Sequence, residues 1–203
     1  MVMNQRDETR TEADENGGPL EGRRIAVLTA SEGVEQIELT APTEALKKAG
    51  ADVELISPEG GEVQAFNHLE KGEVFKADRG VYDVRVEEFD GLLLPGGVAN
   101  PDLLRTHQES IGFITDFFRE GKTVGAICHA PWSLIEAGVI PGRTLTSWPS
   151  LRTDIENAGG IWVDAEVCVD QGFITSRGPD DLDAFCSKVI EEVSEKQPAG
   201  QPS

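Results

Sequence analysis

The chain has 203 residues, enough for one α/β domain with a single sizeable core. Its 37 acidic residues outweigh 18 basic ones, and the net charge of −19 opposes the phosphate backbone of DNA or RNA, so no nucleic-acid binding is expected. No apolar run approaches the ~20 residues of a membrane span, and the acidic, polar N-terminus lacks the apolar stretch of a secretory signal; a cytoplasmic location is expected.

Three cysteines, Cys128, Cys168 and Cys186, form neither a disulfide framework nor a close pair for zinc. They suit a reducing compartment in which a thiol can serve as nucleophile.

Residues 1–22 and 194–203 are poor in apolar side chains and are expected to be disordered, leaving one domain over 23–193. Ile25-Ala26-Val27-Leu28 reads as a buried parallel strand. It leads through Ser31-Glu32-Gly33 into Glu35–Leu39, and a second helical run from Pro42 to Ala49 is closed by Gly50. Val53–Ser57 alternates as a strand. Residues 62–90 look irregular, with short β-like pieces near Val63-Gln64-Ala65 and Val81–Val84.

Leu92-Leu93-Leu94 then forms a strand that runs into the turn Pro95-Gly96-Gly97. Ile111–Arg119 is an amphipathic helix closed by Gly121. Thr123–Ile127 is a strand, and Pro131–Ala137 a helix ending at Gly138. A strand at Thr144–Thr146, a helix over Leu151–Asn157, strands at Glu166–Val169 and Phe173–Thr175, and a helix from Asp181 to Val193 complete the chain. This alternation predicts an α/β fold: a doubly wound, mostly parallel sheet sandwiched by helices.

Chemistry concentrates where the strand Thr123–Ile127 meets the following helix. A nucleophile on so sharp a turn needs small residues two places before and after it, and Ala126 and Ala130 bracket Cys128 in that way. The thiol would sit at a helix N-terminus, whose partial positive charge favours thiolate, and at the carboxyl end of a strand, where α/β sheets bind ligands. A buried, inert cysteine is the alternative. Gly96 and Gly97 allow backbone N–H groups to approach a ligand, and with the N–H after Cys128 they could form an oxyanion hole. Glu32, Glu35 and Glu38 compete as the carboxylate near the end of the first strand.

These stretches, with Ala30–Leu39, Thr146-Ser147-Trp148-Pro149-Ser150-Leu151, Trp162-Val163-Asp164 and Thr175–Leu182, resemble the PfpI intracellular protease family. That family lies in the superfamily of the Parkinson-disease-associated deglycase and has a flavodoxin-like, class I glutamine amidotransferase-like fold. The likeness spans Arg23 to about Glu192. It implies a cysteine-dependent hydrolase of the stress response, with Cys128 as nucleophile and His129 as its neighbouring acid/base. The family's glutamate beside the thiol falls on Glu35, with Glu32 as the alternative because the preceding segment is one residue longer than in some relatives. Asp102, after the Gly-Gly turn, matches a carboxylate that orients the histidine across a subunit interface. Gly97 and His129 would supply the oxyanion-hole N–H groups, beside Gly96. Ala130 stands where the family usually has glycine.

The resemblance further implies action on small reactive carbonyls or glycated proteins and peptides, as a deglycase or glyoxalase III. An intracellular peptidase, or a redox-sensing chaperone without turnover, is the alternative. No metal or organic cofactor is expected, and the partners are the substrate and further copies of the chain, as a dimer or a trimer of dimers.

Overall fold

A computed structural model describes residues 17–196. The strands are β1 (Arg24–Leu28), β2 (Glu32–Glu35), β3 (Asp52–Ser57), β4 (Gly61–Asn67), β5 (Glu70–Ala77), β6 (Arg79–Gly80), β7 (Gly91–Leu94), β8 (Thr123–Ile127), β9 (Thr144–Leu145), β10 (Ile161–Trp162), β11 (Cys168–Asp170) and β12 (Phe173–Ser176). The helices are α1 (Gln36–Lys48), α2 (Ala99–Leu104), α3 (Gln108–Arg119), α4 (Pro131–Glu136), α5 (Arg152–Asn157) and α6 (Leu182–Glu195). Seven strands form the main sheet in the order β11-β12-β8-β7-β1-β3-β6, parallel except for the β11–β12 pair. This is the doubly wound architecture expected.

The sheet is buried on both faces, and its strands divide their side chains between two cores. Ala26, Leu28, Leu92, Leu94, Val124 and Ala126 face one core, which holds Phe113, Phe117 and Leu134 from α3 and α4. Ile25, Val27, Leu93 and Ile127 face the other, with Leu39 and Leu46 of α1 and Phe185 and Val189 of α6. Phe117 is fully buried, a burial that contributes about 2–3 kcal/mol.

Four segments differ from expectation. Gly17–Gly22 belong to the folded body: Leu20 is fully buried, and its N–H donates to the Ala49 carbonyl at 2.8 Å, so one apolar side chain anchors a polar stretch. Likewise α6 continues to Glu195, past the expected end at 193. The remaining expected tails, 1–16 and 197–203, lie outside the described residues. α1 is continuous, with Pro42 inside it rather than at the start of a second helix. Over 61–77 the chain forms the regular hairpin β4–β5, which with β2 makes a second, three-stranded sheet. β5 is exposed along most of its length and so lacks an apolar signature.

β1 pairs with β3 on one side and β7 on the other, so the chain reverses its direction of sheet growth there. The crevice at the carboxyl ends of such strands is where this architecture binds ligands. The loops after β1, β7 and β8 all open into it.

Candidate active site

β8 consists of five buried residues and ends at Ile127. Cys128 follows with φ of 63°, a left-handed conformation that a residue with a side chain adopts only where its surroundings enforce it. The enforcement is visible on both sides of the residue. The Cys128 N–H donates to the Ser176 carbonyl at 3.0 Å, and its own carbonyl accepts from the Trp148 N–H at 3.0 Å. Pro131 then begins α4, its fixed φ suited to a first helical turn. The thiol and the neighbouring His129 are both buried, at 6% and 8% exposure.

The carboxyl beside the thiol belongs to Glu38, which corrects the expectation for Glu35. Glu38 lies in the first turn of α1, is fully buried, and lies next to Cys128 across Gly96. Its Oε2 also accepts the Gly96 N–H at 2.8 Å. Glu35 instead ends β2, where it pairs with Phe66 of β4; its Oε2 accepts the His68 N–H at 3.0 Å. The two glutamates stand three positions apart, and the change from strand to helix between them sends their side chains to different neighbours. Glu32 opens β2 on the exposed side and lines a separate cavity of about 560 Å³.

Burial dominates the electrostatics. Desolvation raises Glu38 from 4.5 to about 7, against the hydrogen bonds from Gly96 and Cys128. Burial also pushes the Cys128 thiol up, as does the Glu38 charge, while the Gly97 and His129 N–H groups pull it down. The expectation that a helix N-terminus would favour thiolate is therefore outweighed, since α4 has only six residues and the sulfur is buried. The two acids share one small site, so a proton on Glu38 removes the charge that opposes a thiolate.

Gly96 and Gly97 shape the wall opposite the thiol. A Cβ on Gly96 would lie 2.7 Å from the Cys128 Cβ and 2.7 Å from Glu38 Oε2. Gly97 has φ of 86°, and a Cβ there would meet the Gly33 carbonyl oxygen at 2.2 Å. Asn100 escaped the sequence reading, yet it braces this turn. Its Nδ2 donates to the carbonyls of Pro95 and Gly96 at 2.8 and 3.0 Å, and its Oδ1 accepts from the Ala30 N–H at 2.7 Å. A buried amide shortly after a Gly-Gly turn was the available signal.

His129 lies between two indoles, with ring centroids 5.3 Å from Trp132 and 5.9 Å from Trp148. Burial holds its pKa below the usual 6.5. Its Nδ1 is buried and has no hydrogen-bond partner among the described residues. Asp102 is exposed in the first turn of α2, and no ion pair or hydrogen bond joins it to His129 within this chain. Cys168 and Cys186 lie outside the site: the Cys168 Sγ contacts the Thr144 carbonyl, and Cys186 packs beside the α6 core. Among the described residues no cluster of three or more His, Cys, Asp or Glu is arranged to hold a metal ion, and no helix is long and apolar enough to cross a membrane.

The chain is similar to known proteins. The putative cysteine protease YraA of Bacillus subtilis is 42% identical over 163 residues, covering 80% of this chain and 94% of that protein. Protein/nucleic acid deglycase 2 of Escherichia coli is 43% identical over 165 residues, covering 80% and 93%. The crystal structure of Drosophila melanogaster DJ-1beta superposes with a TM-score of 0.77 at 28% identity, over 86% of this chain and 91% of that one. The model of the DJ-1/PfpI family matches residues 23–192, and the chain belongs to that family.

Proposed function

We propose that this protein is a cysteine-dependent hydrolase whose Cys128 attacks reactive carbonyls or their adducts on proteins and peptides. The observation that carries this reading is the fully buried Glu38 carboxyl set beside Cys128 across Gly96, where burial raises its pKa to about 7. A base with that pKa can take the thiol proton near neutrality and return it later. The sulfur then bonds to the carbonyl carbon, and the π pair moves to the oxygen, giving a hemithioacetal or tetrahedral adduct. The backbone N–H groups of Gly97 and His129, which favour negative charge at the sulfur, would stabilise the new oxyanion. His129 is neutral above its lowered pKa and is suited to carry a proton to or from the adduct.

Aldehydes and glycation adducts are favoured over peptide bonds because an amide carbonyl is the poorer electrophile. Relatives named as deglycases support this choice. The relative named as a putative cysteine protease keeps peptide hydrolysis as the second reading.

The orphaned Nδ1 of His129 supports completion of the site by a second copy, whose Asp102 carboxylate would accept that N–H and orient the ring. The working form is then a homo-oligomer, a dimer or a trimer of dimers. A cytoplasmic location suits three free cysteines. The net charge of −19 disfavours nucleic acid as a bound partner.

The test compares wild type with Cys128→Ala on methylglyoxal, a glycated amino acid and a fluorogenic peptide. Cys128-dependent turnover of the first two, well above the third, is expected. Turnover of the peptide alone would establish the peptidase instead.

A further inference from the structure

The strained backbone of Cys128 leans on a segment that has no part in the chemistry proposed above. Its N–H is held by the Ser176 carbonyl, at the end of β12, where Ser176 pairs with Ile127. The next residue, Arg177, is fixed by four hydrogen bonds. Its Nε and Nη2 donate to Asp181 Oδ2 and Oδ1, both at 2.8 Å, and its backbone N–H donates to Asp181 Oδ2 at 3.0 Å. Its Nη1 donates to Asp164 Oδ1 at 2.8 Å. The Asp181 side chain is 5% exposed while those of Arg177 and Asp164 are 36% and 67% exposed, so the fork is anchored at its buried Asp181 end, where the bidentate pairing fixes the guanidinium geometry.

The segment reaches His129 as well. Gly178 lies against the Trp148 indole, and a Cβ there would come within 3.2 Å of ring carbons Cε3 and Cζ3. That indole stacks on His129 at an interplanar angle of 25°. The Asp181 N–H donates to the Gly178 carbonyl at 3.0 Å, closing the loop that Arg177 pins. A single anchored loop thus touches the amide of Cys128 and the ring that packs on His129.

We propose that Arg177 is a positioning residue: its fork to Asp181 fixes Ser176–Gly178, and through them the conformation of Cys128 and the placement of His129. This rests on the assignment of Cys128 as nucleophile. It differs from a purely structural ion pair in what its loss disturbs. Displacing reacting groups by about 1 Å can cost 100-fold in rate, whereas substrate capture is little changed.

The experiment measures kcat and KM for methylglyoxal, melting temperature, and the pH profile of iodoacetamide alkylation at Cys128, read by peptide mass spectrometry. It compares wild type, Arg177→Lys, Arg177→Gln and Asp164→Asn. Arg177→Gln is expected to lower kcat about tenfold or more with KM little changed. It should also move the midpoint of Cys128 alkylation. Arg177→Lys should fall between Gln and wild type, and Asp164→Asn, which keeps the Asp181 fork, should stay within about twofold of wild type. If Arg177→Gln fails to fold, Arg177→Lys carries the test through the same readouts. Wild-type values of kcat and of the alkylation profile in the Lys and Gln variants would overturn the proposal. So would a loss of activity that merely follows the unfolded fraction. Absence of Cys128-dependent turnover in wild type would instead refute the proposed function, and the alkylation profile would still decide the role of Arg177.

Discussion

Glu38 and Cys128 meet across Gly96, whose missing side chain leaves the space both groups occupy: a Cβ there would lie 2.7 Å from an atom of each. The carboxyl and thiol therefore ionise in a common, dry environment in which one proton serves both. Replacing Glu38 by Gln preserves an acceptor for the Gly96 N–H but removes the group that takes the thiol proton. Turnover of a carbonyl substrate should fall about 100-fold or more in Glu38→Gln. Glu35→Gln, whose acceptor faces His68, should remain within about threefold of wild type. The comparison of kcat/KM checks this; equal losses in both variants would contradict the assignment.

The same carboxyl gives stability a defined pH dependence. Glu38 is raised from 4.5 to about 7, so folding takes up a proton in that interval. Its contribution is complete below the unfolded value of 4.5 and is lost as the pH rises through about 7. The shift corresponds to about 3 kcal/mol. Glu38→Gln should thus gain stability relative to wild type between pH 5 and 8, approaching that amount at the top of the range. His129 acts in the opposite sense, since burial lowers its pKa; its contribution is present above 6.5 and lost as the pH falls. It is common to both proteins and cancels in the difference. Urea unfolding at a series of pH values checks the prediction, and a pH-independent difference would contradict it.

The parts of this site differ in how plainly the sequence displays them. β8 and its elbow stand out because five residues buried on both faces run into Cys128 and then Pro131, a strand and a helix start with no intervening loop. The role of Glu38 was obscured because Glu32, Glu35 and Glu38 recur every third residue, and their directions depend on where β2 yields to α1. No local pattern marks that boundary, since Glu35 caps the helix without a side-chain hydrogen bond. The β4–β5 hairpin was hidden for another reason: β5 is almost wholly exposed, so pairing rather than burial sets its conformation.

Glycine positions separate backbone need from mere tolerance. Gly97→Ala combines a φ of 86° with a Cβ 2.2 Å from the Gly33 oxygen, and should cost about 2–4 kcal/mol along with activity. Gly112, exposed in α3 with nothing within 4 Å of an added Cβ, should instead stabilise by about 0.5–1 kcal/mol when changed to Ala. Thermal or chemical unfolding distinguishes the two signs.

Completion of the site by a second copy has a genetic signature. Asp102→Ala and Cys128→Ala should each be inactive, whereas co-expressed chains carrying one change apiece should regain activity. In a mixed assembly some sites receive both the thiol and the carboxylate, so recovery to about a quarter of wild type is expected for random pairing. Failure to recover in assemblies shown to be mixed would place the His129 partner elsewhere.

The most direct measurement of the central claim is lactate formation from methylglyoxal by purified wild type and Cys128→Ala, with Glu38→Gln alongside. Cys128→Ala should fall to the uncatalysed rate and Glu38→Gln about 100-fold below wild type, with both variants folded. Equal lactate formation by wild type and Cys128→Ala would contradict the claim that this thiol is the nucleophile.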